Sequence, residues 1–560
     1  MDWQKILNLF AIGVVAWLLL IQWDRFDGGE AQVAGASVDF STASNAPVTE
    51  VSELPIAQPS DSAAELPVLM DEAPVEVVAT SNERLVVVTT DVFEVTIDTL
   101  GGDIVEVRLL EHLTAMPEDG GEPFTLLNRS RNSQYVAQSG LIGQNGTDTA
   151  EGRPQFAIAQ SSYSMGETDE TLYVDLTLDQ NGVKIVKRFE FVSGDYSIGV
   201  HYLINNLSYD PWQANFYGQI KRDSQEPLIE SSGGVMPYLG AALREVDQNF
   251  AKYDFDDMED ESVKVSINGG WVAMVQHYFV SAWVPPSEDK NAFSLRKLSG
   301  QDIYLMGFTG QRLSVGAGGF GEYRAQFYVG PKDQGRLAEL AEYLDLTIDY
   351  GFLWMLAKPI FAALQFIQGI LGNWGWSIIL LTVFIKILLY PLSATSLKSM
   401  AKMRNLQPEM TRLKELYGDD RQKMSQELMG LYKKEKVNPA GGCFPMLLQM
   451  PVFLSLYWVL LESVEIRHSP WIFWIHDLSA KDPFFVLPLV MGGSMLLMQK
   501  MQPMPTDPMQ ARVMQLMPIM FTFFFMIFPA GLVLYWTINN LLSMAQQWFV
   551  NRQLQAAKKS

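Results

Sequence analysis

The sequence predicts a polytopic α-helical membrane protein, with an N-terminal anchor and a five-helix core bundle, that carries a large antiparallel β-sandwich outside the membrane. Three observations predict it: an apolar run at the N-terminus, period-two alternation with frequent turn residues in the middle, and Met-rich apolar runs after Gly351. At 560 residues and 48% hydrophobic, the chain is too long for one domain and too polar to lie wholly within a bilayer.

The N-terminal anchor is predicted over residues 1–25. The run from Ile6 to Trp23 is mostly apolar and approaches the ~20 residues that a helix needs to cross a bilayer. A cleaved signal peptide is the alternative. No small-x-small cleavage site directly follows the run, and Trp17 and Trp23 suit an interfacial position. The pattern therefore favours an uncleaved anchor.

Residues 26–82 are predicted to be an acidic disordered linker. They are rich in Ala, Ser, Pro, Glu and Val, and no Lys or Arg occurs between Phe26 and Glu83. Such a segment cannot bury enough apolar surface to fold alone. Together with the net charge of −22, this asymmetry argues against a DNA-binding protein.

The β-sandwich is predicted over residues 83–345. Runs such as RLVVVTTDVFEVTIDT, TLYVDLTLD, VKIVKRFEFV and YSIGVHYLI alternate between apolar and polar residues and end at Gly, Asn or Asp. Val, Thr, Tyr and Phe at period two indicate antiparallel strands. The stretch from Gly335 to Asp345 then has the spacing of a helix that leads back to the membrane.

The membrane region is predicted in three parts. Residues 346–372 form an interfacial amphipathic helix, residues 373–550 form the core, and residues 551–560 form a short basic tail. The predicted core spans are Trp376–Leu392, Phe444–Leu461, Phe484–Gln499, Val513–Phe528 and Leu532–Phe549. The last two are separated only by Pro529-Ala530-Gly531, which forces a tight antiparallel turn.

The loops indicate the orientation. Lys and Arg outnumber Asp and Glu between Lys398 and Lys436, and the C-terminal tail is basic. Both segments are therefore predicted to be cytoplasmic, which places the N-terminus inside and the sandwich in the periplasm of a bacterial inner membrane. The single cysteine, Cys443, excludes an intramolecular disulfide.

A helical hairpin is predicted over residues 398–436 on the cytoplasmic side. Apolar residues recur at intervals of three and four on both sides of Gly418-Asp419-Asp420, which supplies a helix stop and an N-cap. Its basic face is either a solvated surface or a docking site for anionic lipid or ribosomal RNA.

Enzymatic chemistry is not indicated. The sequence contains no phosphate-binding loop, no metal-ligand spacing among its five histidines and no nucleophile elbow. His476-Asp477 is the one pair that suggests acid–base catalysis, and it lies in a predicted outer loop among interfacial tryptophans. We therefore predict no catalytic residues, no metal and no cofactor.

The predicted spans are interrupted by polar residues at helical spacing. Lys386 and Thr382 share one helix face, and Tyr535, Asn539 and Gln546 share another, beside Trp536. The amides and hydroxyls are explained either by interhelical hydrogen bonds or by a polar groove. Lys386 either snorkels to the cytoplasmic surface or faces a hydrated cavity, where an unpaired cation would attract anionic segments. Two short, Met-rich spans favour a thinned bilayer and varied apolar partners.

Several long motifs resemble the YidC/Oxa/Alb family of membrane-protein insertases. They are GNWGWSIILLTVFIKILLYPLS, SMAKMRNLQPEM, YGDDRQKMSQELMGLYKKEKVNPAGGCFPMLLQMPVFLSLYWVL, WIHDLSAKDP and FPAGLVLYWTINNLLSMAQQW. The stretch NGGWVAMVQHYFVSAWVP is similar to the large periplasmic domain of Gram-negative members. The resemblance covers both the sandwich and the bundle.

The resemblance implies a hydrophilic groove that is open to cytoplasm and lipid and closed to the periplasm, with no cofactor. It places the groove cation at Lys386, where the family usually has Arg, and sensitive positions at Thr382 and Trp536. It also implies a β-supersandwich fold for the periplasmic domain. Client spans would slide along Met450, Pro451, Phe453, Phe524 and Phe528.

The implied partners are nascent membrane proteins, membrane lipids, the Sec translocon with its accessory subunits and, less directly because the tail is short, the ribosome. An envelope transporter or a glycan-binding membrane protein is the rival function. Transporters usually show internal repeats and spans that are broken at mid-membrane, and this bundle shows no obvious repeat.

Overall fold

The computed structural model describes residues 84–131, 133–226, 237–417, 420–435, 437, 444–502 and 508–559. The predicted anchor and acidic linker therefore lie outside the described residues, as do Gly418 and Asp419 of the predicted hairpin turn.

Nineteen strands form the region between residues 85 and 331 in the described part of the chain. The first ten are β1 (Leu85–Thr89), β2 (Phe93–Asp98), β3 (Asp103–Leu113), β4 (Pro123–Arg129), β5 (Gln134–Ile142), β6 (Ala157–Ile158), β7 (Ser162–Ser164), β8 (Thr171–Gln180), β9 (Val183–Val192) and β10 (Ser197–Asn206). The others are β11 (Trp212–Arg222), β12 (Gly240–Leu243), β13 (Ala251–Tyr253), β14 (Val263–Asn268), β15 (Val272–Val275), β16 (Phe279–Val284), β17 (Lys290–Lys297), β18 (Tyr304–Val315) and β19 (Phe320–Pro331).

These strands make two large sheets. A ten-stranded sheet has the order β14-β17-β18-β11-β5-β4-β3-β2-β1-β7, and a nine-stranded sheet has the order β13-β12-β15-β16-β19-β10-β9-β8-β6. Neighbouring strands are antiparallel apart from the short parallel pairing of β1 with β7. The predicted antiparallel sandwich is thereby confirmed, and the four quoted alternating stretches fold as β1 with β2, β8, β9 and β10.

Period-two alternation determines which side of each strand enters the core. In β9 the buried positions are Val183, Ile185, Lys187, Phe189 and Phe191, and the residues between them are more exposed. Successive side chains of a strand point to opposite faces, so every second residue packs between the two sheets. Lys187 follows this alternation although its side chain ends in an ammonium group.

The helices follow the sandwich. A short helix α1 (Phe255–Asp260) lies within it, and α2 (Gln334–Leu340) leaves it, ending five residues before the predicted Asp345. The others are α3 (Trp354–Leu371), α4 (Trp374–Leu388), α5 (Tyr390–Asn405), α6 (Gln407–Tyr417), α7 (Arg421–Lys434), α8 (Phe444–Glu462), α9 (Val486–Lys500), α10 (Pro508–Phe525) and α11 (Ala530–Lys559). The last helix continues without a break through residue 550, where the core was predicted to end.

Length and composition identify few of these helices as spans. Among the described residues, Gly351–Leu371 is long and apolar enough to cross a membrane by itself, and the pair α4 and α5 qualifies only if the two count as one bent span. Helices α9 and α10 are apolar but shorter. The five predicted spans therefore stay a prediction.

The first predicted core span, Trp376–Leu392, is wrong at its C-terminal end. Helix α4 ends at Leu388, and α5 leaves it at an angle of 69°. The break precedes Pro391, which has no backbone N–H to donate to the preceding turn. A second break falls at Leu406, and Pro408 then lies in the first turn of α6, where its missing N–H costs nothing.

The sandwich and the helices share one hydrophobic core. At their junction Lys332 Nζ donates to Glu462 Oε2 at 2.8 Å, and both side chains are almost completely buried. His277 contacts the carbonyl of Leu461 through Nε2 at 2.9 Å. Burial and the nearby Lys332 charge lower the pKa of His277 to about 3. The sandwich is therefore held against the end of α8 by polar contacts that are surrounded by the hydrophobic core.

A second polar cluster lies inside the sandwich itself. Lys187 Nζ donates to the carbonyls of Gly101 and Ser139, each at 2.9 Å. Arg153 also donates to the Ser139 carbonyl and pairs with Asp148 at 2.7 Å. Burial lowers the pKa of Lys187 to about 7.

We expect Lys332→Met to destabilise the junction because Glu462 would remain buried without its cation. The loss of a buried partner costs roughly 3–5 kcal/mol, whereas Lys332→Met combined with Glu462→Gln should recover most of that stability. The measurement is the thermal unfolding midpoint of the purified full chain in detergent. Lys297→Met is the control because the Glu259 partner that it would leave unpaired is exposed to solvent. Equal losses for Lys332→Met and Lys297→Met would contradict the expectation.

We expect the sandwich to become more stable as the pH rises from 7 toward 10. Lys187 titrates near 7 in the folded state but near 10.4 in an unfolded chain, so the unfolded state binds more protons in this window and stability rises with pH. The contribution is at most about 1.4 kcal/mol per pH unit.

The measurement is hydrogen exchange of the β9 amides in the full chain, corrected for the intrinsic rate at each pH. Lys187→Met should abolish the rise because it removes the group that titrates. The variant should still fold, since Arg153 donates to both carbonyls. Lys184→Met, an exposed position on the same strand, should leave it unchanged. A rise that persists in Lys187→Met would exclude Lys187 as its source.

Candidate functional site

Lys386 lies on the inner face of α4. Ser377, Ile378, Leu381, Thr382 and Lys386 are buried at helical spacing, so they share the face that packs into the bundle. The opposite face carries Leu380, Phe384 and Ile387, which are 46%, 58% and 67% exposed. Helix α4 therefore reverses the usual pattern of an amphipathic helix. Its only cation lies on the side that packs against protein, and its outward side is apolar.

The Lys386 ammonium points toward the last helix. Its Nζ donates to Ser543 Oγ at 2.7 Å, and the side chain is only 5% exposed. Ser543 Oγ in turn donates to the backbone carbonyl of Asn539 at 2.8 Å. Gln546 Nε2 reaches the carbonyl of Lys386 at 3.4 Å. Within the described part of the chain, no carboxylate pairs with Lys386.

Asn539 connects this group to a third helix. Gln449 Nε2 donates to Asn539 Oδ1 at 2.8 Å, and Asn539 Nδ2 donates back to Gln449 Oε1 at 3.2 Å. A reciprocal amide pair satisfies a donor and an acceptor on each side chain at once. Gln449 is not among the predicted groove residues, although it is the one strongly polar residue in the apolar run FPMLLQMPVFL, which was a usable signal.

A parallel set of contacts links α9 to α11. Asn540 Nδ2 donates to Ser494 Oγ at 3.1 Å, and the buried Gln547 donates to the Met501 carbonyl at 3.1 Å. Gly492 lets α9 approach α10 closely, because a Cβ atom there would overlap the Thr522 side chain. Polar side chains therefore anchor α11 to α4, α8 and α9.

Thr382 and Tyr535 are both buried but take different partners from Lys386. The Thr382 hydroxyl donates to Ile378 O of its own helix at 2.6 Å. The Tyr535 ring stacks on Phe453 at a centroid distance of 6.4 Å. The six predicted groove residues therefore separate into a hydrogen-bonded group of Lys386, Asn539 and Gln546, and three residues with other contacts, which are Thr382, Tyr535 and Trp536.

Trp536 stands between the polar group and an aromatic cluster. Its ring lies 4.6 Å from that of Phe453 and 5.4 Å from that of Phe525. Its indole Nε1 is buried without a hydrogen-bond partner among the described residues. A buried donor without an acceptor is unfavourable, so this N–H is available to an incoming acceptor.

The predicted client-contact residues fall on α8, on α10 and in the turn that follows α10. Phe524 and Phe528 have ring centroids 4.7 Å apart, and Phe528 also contacts Tyr457 at 5.9 Å. Met450 is half-buried and Pro451 is exposed. The aromatic residues are therefore close together, whereas Pro451 lies at the surface of α8.

Exposed apolar side chains continue along the neighbouring helices. They include Leu489, Val490 and Leu497 on α9, and Val513, Leu516, Met520 and Phe523 on α10. Contiguous exposed apolar surface of this kind marks contact with lipid or with an apolar partner.

The hairpin contributes one residue of its predicted turn to the described part. Asp420 is the N-cap of α7 and accepts from the Lys423 backbone N–H at 3.0 Å. On the preceding helix Met410 is buried, and Tyr432 of α7 donates to its sulfur at 3.8 Å. Helices α6 and α7 therefore pack on each other through the apolar positions that the spacing predicts.

Of the His476-Asp477 pair, the carboxylate is engaged in a turn. Asp477 accepts from both the backbone N–H and the hydroxyl of Ser479 at 2.7 Å, while His476 is exposed. No group of three or more His, Cys, Asp or Glu residues that could hold a metal ion occurs in the part of the chain that the structure describes.

Comparisons with known proteins cover both halves of the chain. The family model described as YidC periplasmic domain matches residues 85–363, and the model described as 60Kd inner membrane protein matches residues 366–558. The chain is 52% identical to a membrane protein insertase YidC from Cellvibrio japonicus, covering 100% of this chain and 99% of that protein. It is 48% identical to one from Stutzerimonas stutzeri, covering 100% of both.

A crystal structure described as an active YidC insertase with its first transmembrane domain resolved is also similar to this chain. It covers 84% of this chain and 93% of its own, at 20% identity and a TM-score of 0.36. The full-length sequence relatives and the two family models together show that this chain belongs to the YidC family of membrane protein insertases.

Proposed function

We propose that this chain inserts membrane proteins by offering their short polar segments a hydrophilic groove beside Lys386, while their apolar spans move along the aromatic cluster. One observation carries the proposal: the Lys386 ammonium is buried inside a helix bundle, where a neutral hydroxyl, Ser543 Oγ, is its hydrogen-bond partner.

The charge at Lys386 is what makes the site selective for clients. A buried ammonium bonded to a hydroxyl retains unused attraction for an anion, because charge-assisted hydrogen bonds to carboxylates are about twice as strong as neutral ones. A carboxylate in a client segment can therefore replace or join Ser543. Lysine binds such a group as a point charge and not through the planar fork of arginine.

The aromatic cluster suits the apolar part of a client. Phe453, Phe524 and Phe528 are half-buried, so each keeps part of its ring accessible. The Trp536 indole N–H beside them can donate a hydrogen bond to a polar atom at the edge of the client span. Binding and release then need no covalent step, since the client partitions between two environments.

The proposed arrangement in the membrane follows the charge of the loops. The N-terminus, the hairpin and the basic tail are cytoplasmic, five core spans surround the groove, and the sandwich is periplasmic. The groove opens to the cytoplasm and to lipid and is closed toward the periplasm, where the sandwich packs on α8. Acting as an insertase and chaperone, the chain works alone or with the Sec translocon. The basic hairpin faces the ribosome or anionic lipid.

The test of the polar site is a charge series at Lys386. Lys386→Arg should be tolerated, Lys386→Ala should reduce insertion moderately, and Lys386→Glu should reduce it most. Reversal would repel an acidic client tail by on the order of a few kcal/mol at an effective dielectric near 20. The measurement is insertion, by proteoliposomes holding equal amounts of each variant, of two matched single-span clients with an acidic or a neutral translocated tail.

Lys500→Glu is the control for this series, because it makes the same charge change at an exposed position at the end of α9. It should affect both clients little. Equal loss for the two tails in Lys386→Glu, or no loss for either, would exclude an electrostatic role for Lys386.

The test of the apolar path is site-specific photo-crosslinking during translation. A crosslinker at Phe524 should capture a stalled single-span nascent chain, whereas one at Phe384, on the exposed face of α4, should capture mainly lipid. Capture from Phe384 but not from Phe524 would contradict the proposed path. Transport of sugar by the same proteoliposomes, without nascent-chain capture at either position, would favour the rival transporter function.

A further inference from the structure

A cavity of about 280 Å³ opens where the sandwich meets the helices. One wall is the end of β3, and the other is the loop that follows α8. Four side chains that carry charge or titrate converge on it, from two segments more than 350 positions apart in the chain. They are Glu111, His112, Arg467 and His468. None of them takes part in the proposed insertion site.

Two of the four side chains carry opposite fixed charges. Arg467 Nη2 donates to the Leu113 carbonyl at 2.6 Å, which leaves its other N–H groups available. Glu111 Oε2 accepts from the Tyr196 hydroxyl at 3.0 Å, which leaves Oε1 available. Both groups are held in place by a partner that is neutral. Among the described residues, neither forms an ion pair with the other or with a third group.

The two histidines that line the cavity have lowered pKa values and are therefore neutral at pH 7. Burial, with the neighbouring Arg467 and His468, lowers the pKa of His112 to about 4. Burial and Arg467 also lower the pKa of His468. A neutral imidazole donates one hydrogen bond, so each histidine can assist Arg467 in holding an anion.

The cavity also lies at the predicted level of the outer membrane surface. Arg467 follows the end of α8 by five residues, and the loop beyond it carries Phe473, which is 79% exposed and stacks on Trp474. Aromatic side chains of this kind are typical of membrane interfaces. The remaining lining is apolar and comes from Leu113, Met116 and Pro117.

We propose that this cavity binds an alkyl phosphate that bears a primary ammonium group, as found in the headgroup of an amine-bearing phospholipid. Arg467, with His112 and His468, holds the phosphate, and Glu111 accepts from the ammonium. A ligand with one charge of each sign matches a site with one fixed charge of each sign, whereas a purely anionic headgroup would be repelled by Glu111. The apolar lining contacts the glycerol end of a lipid.

The experiment titrates four probes into the purified full chain in nonionic detergent and follows the thermal unfolding midpoint, which rises when a ligand binds the folded state. The probes are dihexanoylphosphatidylethanolamine, dihexanoylphosphatidylcholine, O-phosphoethanolamine and inorganic phosphate. The ethanolamine lipid should bind most tightly, because the methylated choline cannot donate a hydrogen bond to Glu111. Tighter binding of the lipid than of O-phosphoethanolamine assigns the membrane as the source, and equal binding assigns a soluble ligand.

The variants are Arg467→Gln, His468→Gln and Glu111→Gln. The loss of a charge-assisted hydrogen bond should weaken binding of the ethanolamine lipid roughly tenfold in Arg467→Gln. Glu111→Gln should remove the preference for ethanolamine over choline. His468→Gln tests the site if Arg467→Gln does not fold, since in the described residues His468 forms no hydrogen bond to β3 of the kind that Arg467 forms with Leu113. Arg324→Gln is the matched control, because Arg324 is an exposed side chain on β19.

Saturable binding of the ethanolamine probes that weakens in the cavity variants and not in Arg324→Gln supports the proposal. It is overturned if no probe binds saturably, if the cavity variants bind as the unaltered chain does, or if choline and ethanolamine lipids bind equally. Insertion of clients does not enter this measurement, so its failure leaves the insertase proposal intact.

Discussion

An ammonium group can stay inside an apolar helix bundle only if protein oxygen atoms replace the water that it loses. At Lys386 that requirement is met by Ser543, and it connects directly to the Asn539 carbonyl and the Gln449 amide. These hydrogen bonds fix the relative positions of three helices, α4, α8 and α11. A helix bundle in lipid gains little from apolar contact between helices, so these hydrogen bonds are the main constraint on how the three helices pack.

The sandwich meets the same requirement with different groups. Lys187 is also completely buried, but its two acceptors are peptide carbonyls, of Gly101 in the turn between β2 and β3 and of Ser139 on β5 in the facing sheet, and Arg153 and Asp148 lie beside it. Those carbonyls belong to fixed backbone, so the lysine is a rigid part of the fold. The acceptor of Lys386 is the Ser543 hydroxyl, which can rotate, and that hydroxyl donates to Asn539, four residues earlier on the same helix. Lys187 therefore keeps fixed hydrogen-bond partners, whereas Lys386 can exchange its partner. This difference separates a structural cation from one that can bind clients.

The sequence predicts most of what depends on local periodicity. Period-two alternation in β8, β9 and β10 indicates the strands and their buried faces, and the spacing of Thr382 and Lys386 places them on one face of α4. Periodicity does not identify which residue on another helix lies opposite, so the Gln449–Asn539 pair and the Lys332–Glu462 pair are missed. It also does not predict the 69° bend, since a proline near a helix end is compatible with either a stop or a continued kink. The cavity at Arg467 is likewise not predicted, because its two walls come from distant parts of the chain and periodicity does not show that they meet.

The buried pair at the junction has a consequence for how the protein is made. Lys332 precedes Glu462 by 130 positions, and His277 precedes Leu461 by 184. A ribosome synthesises the chain from the N-terminus, so the whole sandwich emerges before the helix end that covers this part of it exists. During that interval the surface around Lys332 faces water. An apolar patch there would be an aggregation site on the newly synthesised domain. A lysine instead keeps that surface soluble and becomes buried only when Glu462 has been synthesised and packs on it. The order of synthesis thus explains an ion pair at this junction. The finished core alone does not explain it, because a pair of apolar side chains would pack equally well there.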